Sequence, residues 1–160
     1  MRKIMRRASG TAALGLAALI GLGLAGQQVQ AGAITAADSA RLAQQALNDG
    51  KIDRAVRHAE RALRRGDETD AVAYAAQTVL CLAHLRTDRV EAALDACDAA
   101  VTAKPDSWRA LNNRGIARYK ALDFDGAASD YQAAVEAGGP VDMLTANLTL
   151  AEKKAQVAQR

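Results

Sequence analysis

The stretch CLAHLRTDRVEAALDAC, residues 81–97, holds both cysteines of the chain and one of its two histidines. Thiols and imidazoles supply much of the ligand and redox chemistry available near neutral pH, so Cys81, His84 and Cys97 come first. They fit four readings: half of a metal site, a redox pair, a disulfide, or small core residues with a neighbour. A structural zinc site takes four ligands, and this segment supplies three. The other imidazole, His58, lies among Arg54, Arg57 and Arg61, cations that oppose a divalent ion. A reactive thiol needs a base or nearby cations to lower its pKa, and the C-x-x-C spacing of thiol oxidoreductases is absent. Asp123 and Asp125 flank a turn, where Asp is ordinary loop chemistry. No G-x-S-x-G motif or phosphate-cradling glycine loop occurs. The expectation is no catalytic residue, no metal and no cofactor. A small redox or metal-binding protein centred on Cys81 and Cys97 is the rival reading.

The fate of the thiols depends on compartment, and the N-terminal segment, 1–31, bears on it. Arg2, Lys3, Arg6 and Arg7 precede an apolar run from Thr11 to Gly26, and a short polar segment then ends in VQA. That order is the order of a secretory signal peptide, with cleavage expected after Ala31 and export, in a bacterium, to the periplasm. The apolar run is shorter than the roughly twenty residues a spanning helix needs. A membrane-anchored scaffold that keeps residues 1–31 is the alternative. No cysteine follows the run to accept a lipid.

Losing the leader changes the charge balance. The whole chain has a net charge of +3, but four of its cations belong to the leader, leaving 17 basic against 18 acidic residues. Such a chain has no general basicity to attract nucleic acid or an anionic membrane, and no basic stripe with interleaved aromatics is present. Membrane contact is expected only through the leader before cleavage, and no small-molecule substrate is indicated.

The remaining residues, 32–160, suffice for one domain. One Trp, three Tyr and one Phe are all the aromatic residues in the chain, and alanine dominates the apolar content. Small, good helix formers let helices pack closely and supply little of what fills a sheet. The fold class is therefore all-α.

An internal repeat organises it. Phe124, Ala127, Ala128, Tyr131, Ala134 and Val135 share one helical face, which ends at Gly138-Gly139-Pro140. Earlier in the chain Val90, Ala93, Leu94, Cys97, Ala100 and Val101 repeat the face, closed by Lys104-Pro105. Earlier still stand Ile52, Ala55, Val56, Ala59, Ala62 and Leu63. Ile52 is four positions further from Val90 than Val90 is from Phe124. The four extra residues fall in GDETD, Gly66 to Asp70, where an insertion is expected to lengthen a loop. Leu111, Gly115, Tyr119, Ala127, Tyr131, Ala134 and Pro140 in the third copy, and Leu80, Cys81, Ala93, Cys97, Ala100 and Pro105 in the second, resemble the tetratricopeptide repeat. Tyr119 sits one residue later than the family's usual aromatic.

The resemblance implies a right-handed solenoid of helical hairpins, with repeats at about 36–69, 74–107 and 108–141. Each hairpin exposes an apolar face that stacking must cover. A capping helix over about 142–159 does this for the last one: Asp142 is a candidate N-cap, and Leu144, Leu148, Ala151, Ala155 and Ala158 share one face. Cys81 and Cys97 then lie on the two helices of the second repeat, both directed into the space between. Two cysteines in an exported chain are expected to pair if their Cα atoms come close enough, and two reduced packing thiols are the alternative. His84, three residues on from Cys81, is expected to be a partly buried packing histidine.

The family also implies a groove lined by the first helix of each repeat. Here that face carries Arg86, Arg109, Asn112, Asn113, Ile116, Tyr119 and Lys120 as candidate partner-binding residues. Amides can bond a peptide backbone and arginines a carboxylate. The family's carboxylate-clamp slots hold Ala40, Gln44, Val79, Arg109 and Asn113, so only the third repeat suits that ligand. The functional expectation is a non-catalytic interaction module for a partner's peptide or helix.

Overall fold

The structure, a computed structural model, describes residues 34–65 and 69–160. The expected leader and its cleavage site lie outside the described residues. The described chain forms seven helices and no strand: α1 (Ala36–Asn48), α2 (Ile52–Leu63), α3 (Asp70–Arg86), α4 (Val90–Ala103), α5 (Trp108–Lys120), α6 (Phe124–Glu136) and α7 (Val141–Ala158). None of them is long and apolar enough to cross a membrane.

Side chains of the expected kind open several of these helices. Thr35 and Asp38 form a reciprocal capping box at α1, and Ser107 and Asp123 accept from Ala110 and Gly126 at the starts of α5 and α6. The turns inside the three pairs are equivalent. Gly50, Asp88 and Leu122 stand at the same point of their repeats, and all three have positive φ, at 72°, 54° and 64°. Each pair packs as a hairpin, α1 on α2, α3 on α4 and α5 on α6, and each second helix also touches the next first helix. The first helices pack on one another, α1 on α3 and α3 on α5, while no comparable contact joins α2 to α4 or α4 to α6. The first helices are thus the crowded inner layer of a solenoid and the second helices its splayed outer layer.

Alanine makes this closeness possible. Ala43, Ala55, Ala59, Ala76, Ala83 and Ala93 have no exposed surface, and the first two repeats share one core built on them. The third repeat and α7 form a second core around Leu111, Tyr131 and Leu144. One slot pair recurs between the helices of each hairpin: Ala43 with Ala59, Cys81 with Cys97, and Gly115 with Tyr131. The cysteine Cα atoms lie 5.0 Å apart with the two Sγ atoms in contact, within the separation a disulfide requires.

Two local expectations are corrected. The four extra residues of the second repeat do not only lengthen a loop. Helix α3 starts at Asp70 rather than 74, and it has 17 residues where α1 and α5 have 13. Thr69 accepts from the Val72 amide at 3.4 Å, and the helix-forming DAVAY run then adds a turn. At the other end the residue before α7 is Pro140, and Asp142 lies inside the first turn rather than at the cap. A proline there gives up no helical hydrogen bond, and an acid in the first turn favours the helix dipole.

Candidate interaction groove

The inner face of α1, α3 and α5 is where the candidate binding residues lie, and the structure divides them. Arg86 ends α3 and donates through Nη1 to the Leu47 carbonyl at 2.8 Å, at the C-terminal end of α1. Lys120 holds the equivalent place at the end of α5, where it forms an ion pair with Asp88 in the α3–α4 turn. Both cations therefore reach back to the C-terminal end of the preceding first helix, where dipole and free carbonyls favour positive charge. They fasten one repeat to the next.

Asn112 is nearly buried, and its Oδ1 accepts from Asn147 Nδ2 on α7 at 3.3 Å. Ile116 and Tyr119 pack against the second core, and the Tyr119 ring meets Phe124 edge-on, with centroids 5.2 Å apart. Asn113 is half-buried beside them. Arg109 is exposed; its guanidinium lies 4.3 Å from the centroid of the Trp108 ring, with no ion pair among the described residues. Arg109, Asn113 and Tyr119 are therefore the polar groups of the set whose side chains make no hydrogen bond or salt bridge among the described residues.

Between α1 and α3 the face is different. Ala37, Ala40, Ala71, Val72 and Ala75, with Arg41 and Gln44 at the side, line an open, mostly apolar cavity of about 370 Å³. The flanking polar groups are already engaged, Arg41 with Asp38 at 2.7 Å and Gln44 with Asn48 at 2.9 Å. The groove thus has an apolar, small-residue half and a half with amide and guanidinium groups.

The histidines stand apart from it. His84 is nine-tenths buried, and desolvation, helped by the charge of Arg89 and opposed by Glu60, holds its pKa below the usual imidazole value. His58 is lowered too, first by desolvation and then by Arg61, Arg54 and Arg57.

One cluster was missed in the sequence. Asp130 is buried on α6, where it accepts from Arg114 Nε at 2.9 Å and Nη2 at 2.7 Å, and Arg118 Nη1 lies 3.1 Å away. Arg114 also reaches Asp98 on α4 at 3.3 Å, and the Asp130 hydrogen bonds are the main reason its pKa is raised. The signal was there: Asp130 sits on the α6 face that carries Ala127, Tyr131 and Ala134, where a charge needs a partner.

The hairpin stacking has a counterpart among known sequences. A family model described as Tetratricopeptide repeat matches residues 40–107 and 86–142. The chain belongs to the tetratricopeptide repeat family. Among solved structures, it is similar to the Sgt2 TPR domain from Aspergillus fumigatus, with a TM-score of 0.66 at 20% identity over 78% of this chain and 82% of that one. It is also similar to the first TPR of Spaghetti (RPAP3), bound to the HSP90 peptide SRMEEVD, with a TM-score of 0.65 at 20% identity over 79% and 94% of the two chains. A comparison with curated proteins returns no match. This tetratricopeptide repeat protein places sulfur atoms on both sides of the hairpin contact in its second repeat.

Proposed function

We propose that this protein is a non-catalytic interaction module that holds a partner's peptide or helix along the inner face of its first helices. The observation that carries the reading is the open groove, with an apolar cavity between α1 and α3 and the unpaired polar groups of Arg109 and Asn113 on α5. Small side chains on the floor permit close approach of a partner backbone, and the amide and guanidinium can bond its polar groups. The peptide bound to the Spaghetti domain is a precedent for this use of the fold.

The reading includes export. A leader-like segment, residues 1–31, precedes the domain, and a chain delivered to an oxidising compartment would carry Cys81 and Cys97 as a disulfide. Sequencing the N-terminus of the mature protein separates cleavage after Ala31 from a retained anchor. Affinity capture from an envelope fraction, repeated with Arg109→Ala and Asn113→Ala together, tests the groove. Loss of the captured partner is expected, and equal recovery would remove the groove from consideration.

A further inference from the structure

Helix α4 begins without the acceptor that its counterpart in the third repeat has. Arg89 and Asp123 are equivalent N-cap residues with nearly the same backbone, φ −89° and ψ 76° against φ −81° and ψ 76°. Asp123 accepts from the Gly126 amide at 3.0 Å, and its other carboxylate oxygen lies 3.9 Å from Arg118 Nε. At α4 no side chain accepts from the first amides, which leaves donors and the positive end of a helix dipole without an anion. His84 stands at the place of Arg118. The second repeat keeps the donors of this corner and lacks its carboxylate.

A cavity of about 250 Å³ lies here, between α2 and the α3–α4 turn, and none of the candidate groove residues lines it. His84 forms part of its wall; the residue is nine-tenths buried, and its imidazole makes no hydrogen bond among the described residues. A ring so far withdrawn from water is costly to leave unbonded, and a ligand in the cavity can supply its partner. Arg57 and Arg89 line the same cavity, exposed and with no ion pair among the described residues.

Charge and shape narrow the ligand. Asp53 and Glu60 on the α2 side offset the two arginines, so the site suits a monoanion better than a phosphate dianion. Glu60 is also engaged by Arg64 at 3.4 Å. Ile52 and Val56 add an apolar side. We propose that this corner of the second repeat binds a carboxylate on a short aliphatic stem, held by the first amides of α4, the His84 imidazole, Arg57 and Arg89. The ligand takes the place that Asp123 fills in the third repeat. A free short-chain acid and an acidic side chain of a partner present the same chemistry to it. The proposal goes beyond groove binding and leaves the inner face free.

An NMR titration of the isotope-labelled protein with sodium butyrate tests it, with chloride keeping the ionic strength constant. Saturable shifts of the Glu91 and Ala92 amides are expected, half-complete at about 1–10 mM. Arg89→Gln removes one exposed cation and should weaken binding by about threefold. Arg89→Asn removes the same charge but supplies a cap acceptor of its own, so it should weaken binding by about tenfold or more and raise the melting temperature. Arg89 is exposed, and unchanged helical circular dichroism shows that each variant is folded. Tighter binding of acetyl-glutamate amide than of butyrate assigns the carboxylate to a partner side chain; equal or tighter binding of butyrate assigns it to a free acid. No saturable shift of these amides with either carboxylate up to about 100 mM, tighter binding of inorganic phosphate than of either, or equal losses in the Asn and Gln variants would each overturn the proposal.

Discussion

The ring of Tyr131 lies where a side chain on Gly115 would have to go: a Cβ built on Gly115 falls 2.7 Å from Tyr131 Cε1 and 3.0 Å from Cδ1. The glycine exists so that an aromatic ring can fill the space between α5 and α6. In the second repeat Cys81 and Cys97 fill the same space, and in the first Ala43 and Ala59 do so with the helices closed up on small side chains. One packing problem has three solutions within one chain.

Gly115→Ala gains helix propensity of about 1 kcal/mol but forces the buried ring to move. A net loss of about 1–2 kcal/mol in urea unfolding is expected. Pairing it with Tyr131→Leu, which vacates the ring edge, should make the added methyl cost less than it does beside tyrosine. Equal costs in the two backgrounds would show that the ring does not set the glycine.

The second repeat's solution is covalent in the exported protein proposed above. The cysteines are 16 residues apart, and closing a loop of that length contributes about 3 kcal/mol on the chain-entropy argument. Thiol titration of the denatured, unreduced protein should find no free thiol. Replacing both cysteines with alanine should lower unfolding stability by about 3 kcal/mol. Because both residues are fully buried, the bond should resist reductant until the protein unfolds.

The hairpins were legible because their apolar faces recur at fixed spacing and end at glycine and proline. The slot pair of Cys81 and Cys97 followed from the same register. The roles of Arg86 and Lys120 did not: a cation in a last helical turn looks alike whether it faces solvent or bonds a neighbouring helix. The extra turn of α3 was hidden because its residues both follow a polar connection and favour a helix. Asp130 required a contact across α5 and α6, and helical periodicity within either helix leaves that contact unspecified.

Asp130 shows what such a missed contact is worth. Removing the carboxylate with Asp130→Ala leaves Arg114 and Arg118 facing a buried vacancy, and a loss of about 3–5 kcal/mol is expected. The second repeat has Leu80 and Ala96 at the places of Arg114 and Asp130. Arg114→Leu with Asp130→Ala should therefore be clearly more stable than Asp130→Ala alone, as a thermal denaturation series would read. A double variant no better than the single would mean that the ion pair is not what makes Asp130 necessary.

Leu122 presents the opposite case, a residue ill-suited to its backbone. Its φ is 64° and the residue is 73% exposed, so it carries left-handed strain with little burial in return. Gly50 holds the equivalent turn of the first repeat without that strain. Leu122→Gly is expected to stabilise the protein by about 0.5–1 kcal/mol, since removal of a cost of about 1–2 kcal/mol outweighs the added freedom of the unfolded chain. An unchanged or lowered melting temperature would contradict it.

His84 ties stability to pH with a definite sign. Its folded pKa lies below the ordinary 6.5 because burial disfavours the imidazolium, so the unfolded chain binds the proton more tightly. Unfolding free energy then rises with pH below that value. The stabilising share of the neutral ring is fully present above the unfolded pKa of 6.5 and is lost as pH falls toward the folded one. His58 is shifted the same way and adds to the trend. His84→Gln removes the titrating ring while keeping a polar group at the site. Between about pH 7.5 and about pH 5 its denaturation midpoint should fall less than the parent's, and a parallel fall would assign the acid sensitivity to other groups.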